Sequence, residues 1–477
     1  METQCTQRSF GFQEVGGRKI VARFDGGRVT SDGGAVLLRE IEDRFRLVEG
    51  FAGCFTDHRD AERIEHPLVD LLKQRLFALC LGYEDLNDHD WLRHDALLAV
   101  IVGKEDPEGN DRESARDRGK ALAGKSTLNR LELTPVGADA GHRYKKITAD
   151  IRAVHDFLVD AFLVQHPSSP KRIVLDLDAT DDPIHGDQLG KFFHGYYKSY
   201  CYLPLYIFCG DHPLLALLRP ADIDAAAGSV KHLERIVRHI RQAWPMVQIV
   251  VRGDSGFCRE NLLAWCEAND VDYVIGLAKN KRLTRILGKE LQDAKLLFEQ
   301  TAQAARVFKD FAYRTQKSWS RDRRVIGKAE HLEKGANPRY VVTSLDPAEF
   351  DAKTVYEVEY CGRGNMENRI KEQQLFLFAD RTSCQTMRAN QLRLAFSTVA
   401  YALLRSLREF GLKGTPLETA QADTIRLRLL KIGATIRVTV RKVWIALSEA
   451  YPWRDLFGQA YDQLTAWRQP VPIHDSA

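Results

Sequence analysis

The chain lacks the features that mark disulfide-rich, zinc-binding or membrane proteins. Its nine cysteines are odd in number and form no C-x-x-C pair. A disulfide framework or a zinc site is therefore not expected, and the reducing cytosol is the natural compartment. No apolar run approaches the roughly 18 residues that predict a membrane span. The start of the sequence has no basic stretch followed by an apolar one, so we expect no signal peptide and a cytoplasmic protein without membrane contact.

A strong charge of one sign is also missing. The sequence holds 69 basic and 65 acidic side chains, and its net charge of +4 does not by itself imply a nucleic-acid partner. Its 477 residues exceed one typical domain, so we expect two to four structural units. The hydrophobic content of 44% is ample for a sizeable core.

The pattern along the chain predicts five regions. Residues 1–165 form an N-terminal region for DNA binding or dimerisation, with strands in Phe10–Phe24 followed mainly by helices, which include Gly34–Phe45 and Pro67–Leu81. Residues 166–284 form the first part of an α/β core. Residues 285–350 form a β-rich insertion, 351–410 the second part of the core, and 411–477 a C-terminal region of helices and a hairpin. Helices are predicted over Met366–Phe378 and Met387–Phe410 in the second part of the core, and over Val443–Tyr451 in the C-terminal region.

The first part of the core has a recognisable element order. Its predicted strands are Ile173–Asp178, Phe192–Tyr197, Leu203–Cys209, Val247–Val251 and Tyr273–Ile275. Predicted helices lie in 225–244 and 259–269. The order β-β-β-α-β-α-β fits a ribonuclease-H-like fold, in which the first and fourth strands lie side by side.

Carboxylates follow those two strands. Asp178 ends the first strand, and Asp254 follows the fourth in the segment Arg252-Gly253-Asp254-Ser255-Gly256-Phe257. A later glutamate, Glu367, completes a set of three. Carboxylate oxygens are the hard ligands that Mg²⁺ prefers, and two such ions about 3.5–4 Å apart perform phosphodiester chemistry. The sequence therefore predicts a site of two Mg²⁺ ions, with Mn²⁺ as a substitute, held by these three acids.

Arg363, Glu367 and Lys371 are spaced four residues apart, so on a helix they share one face. One interpretation is a solvated ladder of salt bridges. The other is a polar face directed at a site, which is favoured by the flanking glycines, Gly362 and Gly364, and by the apolar stretch that follows.

Three segments of the chain resemble the signatures of DDE transposases from bacterial insertion sequences. They are Asp178-Ala179-Thr180, the segment around Asp254, and Tyr360-x-x-Arg363-x-x-x-Glu367. The wider sequence, including Tyr273-Val274-Ile275-Gly276-Leu277-Ala278-Lys279-Asn280, looks most like the insertion-sequence 1380 group within DDE group 1. The resemblance covers roughly residues 10 to 455. The lysine of the related pattern would fall at 374, where this chain has Gln374, and Lys371 is the candidate substitute.

The resemblance implies a cut-and-paste transposase in the bacterial cytoplasm, associated with the nucleoid. Its partners would be terminal inverted repeats, target DNA and a second copy of the chain in a homodimeric synaptic complex. Asp178, Asp254 and Glu367 would be the catalytic metal ligands, and Tyr360, Arg363 and Lys371 would contact phosphate near the cut end. Rival interpretations are a structure-selective nuclease of the same fold and a catalytically silent DNA-binding derivative.

Several residues carry open alternatives. Asp176 competes with Asp178 as the first metal ligand, because residues two apart on a strand share a face. Asp181 and Asp182 are expected to be solvated loop acids. Trp319, in the basic patch of the insertion with Arg323, either stacks a flipped base or packs in the core. Alternating apolar and basic residues in Ile425–Val440 predict a hairpin whose cationic face contacts DNA. The DNA-contacting residues of that face are Arg426, Arg428 and Arg437.

Overall fold

The computed structural model describes residues 8–468, which form two compact units. One unit is drawn from both ends of the chain, up to Thr148 and from Val399 onward. The other unit is Ala149–Thr398. Parts of the predicted N-terminal and C-terminal regions thus share one unit, and the three carboxylates all belong to the other. Among the described residues, no helix is both long and apolar enough to cross a bilayer.

The unit built from the chain ends is mainly helical, with short strands. Its helices are Val36–Phe45, Leu47–Ala52, Leu68–Cys80, His89–Leu92, Ala96–Val102, Lys125–Glu132, Ala422–Ile425 and Arg454–Thr465. Its strands are Phe10–Val15, Arg18–Ala22, Arg28–Thr30, Phe55–Asp57, Ala434–Val438 and Val443–Leu447. The strand Ile147–Ala149 and the helix Met387–Gly411 contain the two points where the chain passes from one unit to the other.

The predicted hairpin over Ile425–Val440 is wrong in its first half. Residues 422–430 are helical, with α-helix to Ile425 and a π-type turn from Arg426 to Leu430. Ile425 and Leu429 are four apart and fully buried, while Leu427 is exposed, which is the pattern of one helical face. Over so few residues, the apolar pattern is compatible with both a strand, in which alternate residues share a face, and a helix, in which residues four apart share a face. The burial of Ile425 and Leu429 shows that the helix is the one formed.

The hairpin begins later than predicted and replaces a predicted helix. Ala434–Val438 pairs antiparallel with Val443–Leu447, where the sequence had suggested a helix over 443–451. Ile436 lies opposite Ile445 in this ladder. β-Branched and aromatic side chains in Val443-Trp444-Ile445 favour a strand once a partner strand is present.

A sheet of nine strands organises the second unit. In chain order the strands are β1 (Arg172–Ala179), β2 (Leu205–Cys209), β3 (His212–Leu217), β4 (Gln248–Gly253), β5 (Asp272–Leu277), β6 (Ala305–Tyr313), β7 (Arg323–Leu332), β8 (Gly335–Ala336) and β9 (Arg339–Thr343). The spatial order is β3-β2-β1-β4-β5-β9-β7-β6, with β8 paired to β7. Strand β4 is parallel to both neighbours, and the remaining pairs are antiparallel. The predicted adjacency of the first and fourth strands is observed.

One predicted strand of the core lies elsewhere. Phe192–His194 pairs with Ser199–Tyr202 in a small separate sheet. The third strand of the main sheet is instead His212–Leu217, whose hairpin with β2 turns at Gly210 with a positive φ. A strand that is buried at successive positions gives no apolar–polar alternation, so the sequence pattern did not identify it.

Different elements pack on the two faces of the sheet. Odd-numbered residues of β1, such as Leu175 and Leu177, belong to the large core formed with the helices Ile151–Val164, Ser229–Ala243 and Glu260–Ala268. Val250 and Val274 face the other side and pack against Val355 and Tyr356. The carboxylates lie on this second face, as the strand register below establishes.

The predicted insertion extends the same sheet. Its strands, β6, β7 and β9, continue from β5 rather than forming a sheet of their own. Two helices precede them, Lys281–Ile286 and Gly288–Thr301, which the sequence did not predict. Only Ala294 of the second helix is fully buried, so its apolar periodicity is weak.

Candidate active site

The register of the two central strands places Asp178 beside Asp254. In the parallel ladder of β1 and β4, Arg252 lies opposite Asp176 and Gly253 opposite Leu177. Asp254, the next residue, therefore follows directly alongside Asp178. Alternate residues of a strand face the same side, so both pairs lie on one face of the sheet.

The first pair is a buried ion pair. Arg252 donates from Nη2 to Asp176 Oδ2 at 2.8 Å and from Nε to the other carboxylate oxygen. Only 3% of Asp176 is exposed, and burial raises the pKa of its carboxyl while the Arg252 hydrogen bonds oppose the rise. Asp176 is thus engaged by a structural partner. The sequence contains a signal for this pair. Asp176 precedes Asp178 by two positions and Arg252 precedes Asp254 by two positions, so opposite charges stand at matching places on the two strands.

Glu367 reaches the same place from a helical segment. A π-type turn over Val355–Tyr360 and a tight turn over Cys361–Arg363 lead into the helix Gly364–Leu377. This segment packs on the carboxylate face through Val355 and Tyr356. π-Type turns frequently occur at functional sites because they re-aim the side chains that follow.

Arg363 bridges two of the three carboxylates. Its Nη2 donates to Asp178 Oδ1 at 2.9 Å, and its Nη1 lies 2.7 Å from Glu367 Oε1. The Arg363 side chain is 16% exposed, the Asp178 side chain 13% and the Glu367 side chain 43%. Residues from a strand and a later helix, distant in sequence, therefore meet on a single guanidinium.

The site has an excess of negative charge. Burial raises the pKa of Asp178 to about 6, the Arg363 charge opposes the rise, and repulsion from Asp254 and Glu367 adds to it. Burial alone would lower the pKa of Arg363, but the same three carboxylates raise it above its ordinary value. The cluster is therefore one electrostatic unit in which a single guanidinium faces three acids.

Tyr360 closes the site over Gly276. A Cβ at Gly276 would lie 2.6 Å from the Tyr360 hydroxyl oxygen and 2.9 Å from the Ser255 backbone nitrogen, so only glycine fits here. Burial raises the pKa of Tyr360, and Arg363 opposes the rise. Beside it opens a cavity of about 150 Å³ whose lining includes Ser255, Lys279, Arg339, Tyr340 and Tyr360.

The residues present suit divalent cations by their chemistry. Asp178, Asp254 and Glu367 offer only hard oxygen donors, and the raised pKa of Asp178 records uncompensated negative charge. Within residues 8–468, no three potential ligands stand close enough to hold one ion as the side chains lie. The reason is visible at Arg363, whose guanidinium occupies the space between Asp178 and Glu367.

Lys371 and Gln374 lie further along the helix of Glu367. Lys371 is exposed, one turn beyond Glu367. The Gln374 side-chain amide donates to the Asp181 carbonyl oxygen at 3.2 Å. The residue at the position of the expected lysine therefore makes a structural hydrogen bond, and the contact of Lys371 with DNA stays a prediction.

Trp319 and Arg323 do not have the surroundings that base stacking and DNA contact require. Trp319 is 5% exposed and packs edge-on against Tyr313, with the Arg323 guanidinium 5.3 Å from its ring centroid. Arg323 is buried and paired with Glu260 at 2.6 Å and Glu267 at 2.7 Å. Trp319 therefore packs in the core, which is one of its two predicted alternatives. The predicted DNA contact of Arg323 is wrong, because the pairing of β6 with β7 leaves its guanidinium buried in ion pairs.

The three arginines of the predicted cationic hairpin have separate environments. Arg426 is directed inward, where its Nε donates to the Cys80 carbonyl oxygen at 2.8 Å, so its predicted exposure to DNA is wrong. Arg428 and Arg437 are exposed and lie over the rings of Trp453 and Trp444, respectively. Their contact with DNA stays a prediction.

Asp182 departs from its expected place in a solvated loop. It pairs with Tyr202 in the small sheet and is 1% exposed. Within the described residues, neither carboxylate oxygen has a hydrogen-bond partner. Burial, together with the charges of Asp380 and Asp181, raises the pKa of Asp182 well above its ordinary value. Desolvation thus favours the neutral form of this acid.

Fold and site together define a class of protein. It is an α/β protein with a cluster of acids and one arginine at the carboxyl ends of adjacent parallel strands. Oxygen ligands of this kind can hold cations that act on phosphate esters.

Comparison with known families identifies the chain more closely. A family described as "Transposase DDE domain group 1" matches residues 12–469, nearly the whole length. The chain belongs to this family and is a DDE transposase by family. No curated protein matches the sequence. Among solved structures, the chain is similar to a piggyBac transposase in a synaptic complex with hairpin DNA, at 11% identity and a TM-score of 0.40, over 94% of this chain and 84% of that one.

Proposed function

We propose that this protein cleaves DNA at the ends of a transposable element and joins the freed ends to target DNA, by a cut-and-paste route. The observation that carries the proposal is the meeting of Asp178 and Glu367 on the Arg363 guanidinium, with Asp254 in the adjoining strand register. A structural ladder of salt bridges on the helix would not bring two strand-end aspartates to the same place.

Asp178, Asp254 and Glu367 would hold two Mg²⁺ ions, with Mn²⁺ as a substitute. When bound, such ions activate a water or hydroxyl nucleophile and stabilise the leaving 3′-oxygen. The ionised form of Asp178 is the one that binds a cation, and its raised pKa makes this step depend on pH. Asp176 would keep its ion pair with Arg252, which joins β1 to β4 on the same face of the sheet as the three acids.

The other polar residues of the site would position DNA. Arg363, released from Asp178 and Glu367, would bind a phosphate of the cut end through its planar donor fork. Tyr360 would orient that phosphate from its place above Gly276. Lys371 would supply a further charge from the exposed side of the helix.

The topology supports a ribonuclease-H-like core. The element order is three strands, helix, strand, helix and strand, and the first and fourth strands are adjacent and parallel. The motifs resemble those of the insertion-sequence 1380 group, so the protein would act in a bacterial cell. Its partners would be terminal inverted repeats, target DNA and a second copy of the chain in the synaptic complex.

The test combines labelled inverted-repeat ends, a supercoiled target plasmid and Mg²⁺. The wild-type protein should yield both cut ends and joined products. Asp178→Ala, Asp254→Ala and Glu367→Ala should bind ends and lose both products. Asp187→Asn is a matched control, because Asp187 is a solvent-exposed acid of the same unit whose one ion pair within residues 8–468 is with Lys191.

Three outcomes would contradict the proposal. Cut ends without joined products would make the protein a structure-selective nuclease. Binding without metal-dependent cutting by the wild-type protein would make it a catalytically silent DNA-binding derivative. Cutting by all three alanine variants would remove the carboxylates from the mechanism.

A further inference from the structure

The cavity beside Tyr360 adjoins the acidic cluster but contains none of its carboxylates. Gly276 lines this cavity of about 150 Å³ and packs against the backbone of the neighbouring turn. A Cβ at Gly276 would lie 2.9 Å from the Ser255 nitrogen and 3.2 Å from the Asp254 carbonyl carbon. The cavity therefore begins one residue after Asp254, and cavity and cluster are neighbouring parts of the same unit.

Positive charge in this cavity has no counter-ion. Lys279 and Arg339 line it, and its lining includes no aspartate or glutamate. Both cations are exposed, and within residues 8–468 neither has an ion pair. Glu330 of the neighbouring strand β7 does not neutralise them, because it is engaged by Arg306 and Lys328, each at 2.7 Å. The cavity therefore favours an anion.

The hydrogen-bonding groups of the lining narrow the choice of anion. Lys279 and Arg339 can only donate, and the hydroxyls of Ser255 and Tyr360 can donate as well. Ser255 is exposed and Tyr360 is partly exposed, so a ligand can reach them, whereas the Tyr340 hydroxyl is closed to solvent. A phosphodiester has one negative charge and only acceptor oxygens. It therefore matches this set of donors and needs no proton of its own.

The size of the cavity selects a single phosphate group within a longer chain. Pockets that enclose a whole small ligand measure about 300–1,000 Å³. A volume of about 150 Å³ is smaller than this. Since one water occupies about 30 Å³ of liquid, the cavity has room for about five waters, which suits one phosphodiester but not a complete nucleotide.

Tyr360 connects the cavity with the acidic cluster. Burial raises the pKa of Tyr360, and the charges of Arg363 and Arg339 both oppose the rise. The phenol thus lies within reach of the guanidinium that bridges the acids and of the guanidinium that lines the cavity. A DNA strand whose cut phosphate lies at the acids would therefore place a neighbouring phosphate in the cavity.

We propose that this cavity binds the phosphodiester next to the cut phosphate on the cut DNA strand, and that Lys279 and Arg339 are the residues that hold it. The Ser255 and Tyr360 hydroxyls donate to the same group. This inference rests on the proposed transposition function and adds a substrate contact outside the metal-binding acids. Because both cations lie away from the reacting atoms, they act on the affinity for DNA and on the register of the strand.

Binding of a labelled terminal-repeat duplex to the full chain, without metal, measures the contact by fluorescence anisotropy. Lys279→Gln/Arg339→Gln should bind at least about tenfold more weakly than wild type. One neutralised phosphate contributes about 0.9 to the slope of log affinity against log salt concentration, so the slope should fall by about that amount. A slope and affinity equal to those of wild type would overturn the proposal.

Lys289→Gln/Lys295→Gln is the matched control. It removes the same net charge from exposed positions of the helix Gly288–Thr301, outside the lining of the cavity. This variant should keep the affinity and the salt dependence of wild type. Equal losses in the two double variants would show a general effect of net charge and overturn the assignment to the cavity.

A single methylphosphonate locates the contact on the DNA, because it removes the charge of one chosen phosphodiester. At the phosphate next to the cut, it should weaken binding of wild type about tenfold and leave binding of Lys279→Gln/Arg339→Gln nearly unchanged, since that contact is already lost. Further along the strand, it should affect both proteins equally. Equal effects on both proteins at every phosphate near the cut would overturn the proposal.

Cleavage in Mg²⁺ separates this inference from the proposed function. Lys279→Gln/Arg339→Gln should raise KM for the terminal duplex about tenfold and leave kcat within about twofold of wild type. Cut and joined products without the methylphosphonate coupling would keep the proposed function and overturn this cavity. Coupling in a wild-type protein that does not cut would keep the cavity and overturn the proposed function. A fall in kcat at unchanged KM would place the two cations in the chemistry and contradict the binding role.

Discussion

Replacement of Arg363 by glutamine tests the electrostatic design of the acidic cluster. Arg363→Gln removes the two ion pairs that neutralise Asp178 and Glu367. The Glu367 pair is partly exposed and is worth about 0.5 kcal/mol. The Asp178 carboxylate is buried, and leaving it without a partner costs about 3 kcal/mol. Proton uptake by Asp178 recovers part of this, so we expect a loss of about 2–3 kcal/mol in the free energy of unfolding without metal.

The same variant should bind Mg²⁺ more tightly. In the wild-type protein the guanidinium must leave the carboxylates before a cation takes its place, whereas the variant has no such bridge to break. A destabilisation confined to the metal-free state appears as a gain in metal affinity, of about 10- to 100-fold here. Denaturant unfolding at increasing Mg²⁺ concentrations, without DNA, measures both quantities.

Arg369→Gln provides the matched control. Arg369 lies on the same helix and is paired with Asp211 at 2.8 Å and Glu372 at 3.2 Å, outside the three-acid cluster. Its loss should destabilise the protein without changing its affinity for Mg²⁺. The reasoning is refuted if Arg363→Gln binds Mg²⁺ no more tightly than wild type, or if Arg369→Gln shows the same gain.

Three other predictions follow from the same geometry. Asp176→Asn breaks the buried pair with Arg252 and should lower the free energy of unfolding by about 3–5 kcal/mol. DNA cleavage should persist below the melting temperature of the variant. Loss of cleavage in the folded variant would assign Asp176 to the chemistry. Gly276→Ala should displace Tyr360, because a Cβ would lie 2.6 Å from the Tyr360 hydroxyl oxygen. DNA cleavage should then slow at least about tenfold. An unchanged rate in a cleavage assay would contradict this packing. Since the folded-state pKa of Asp178 rises from 3.8 to about 6, this group contributes stability that is full below about pH 4 and is lost as pH rises through 6, by about 3 kcal/mol in all. Unfolding without metal should follow this trend, and Asp178→Asn should flatten it; a wild-type curve unchanged by that substitution would disprove the assignment.

The sequence was most informative where one period dominates. The helices that begin near Val36, Leu68, Gly364 and Met387 were predicted to within a few residues, because their buried faces recur every three to four positions. Strands β1, β4 and β5 were also found, as short runs of β-branched residues bounded by glycine or aspartate. The helices Lys281–Ile286 and Gly288–Thr301 were missed, because mostly exposed helices leave little apolar pattern.

The candidate site divides in the same way. Asp178, Asp254 and Glu367 were selected from motif and strand position, and the structure brings Asp178 and Glu367 to one guanidinium beside Asp254. The pairing of Asp176 with Arg252, the burial of Arg323 and the inward direction of Arg426 were not predicted. For Trp319 the sequence left two alternatives open, and the structure selects the core. The sequence does not distinguish a long polar side chain that faces solvent from one that folds inward, because the direction depends on which strand or helix packs over it.

The sequence by itself determined which residue types are present, their local periodicity and the family to which the chain belongs. Only the tertiary structure decided that Arg363 lies between two acids from separate elements, and that Lys279 and Arg339 line the same cavity. The physical reason is that local periodicity reflects interactions within a few turns of backbone. Desolvation and charge pairing, by contrast, depend on groups that folding brings together from far apart in the chain.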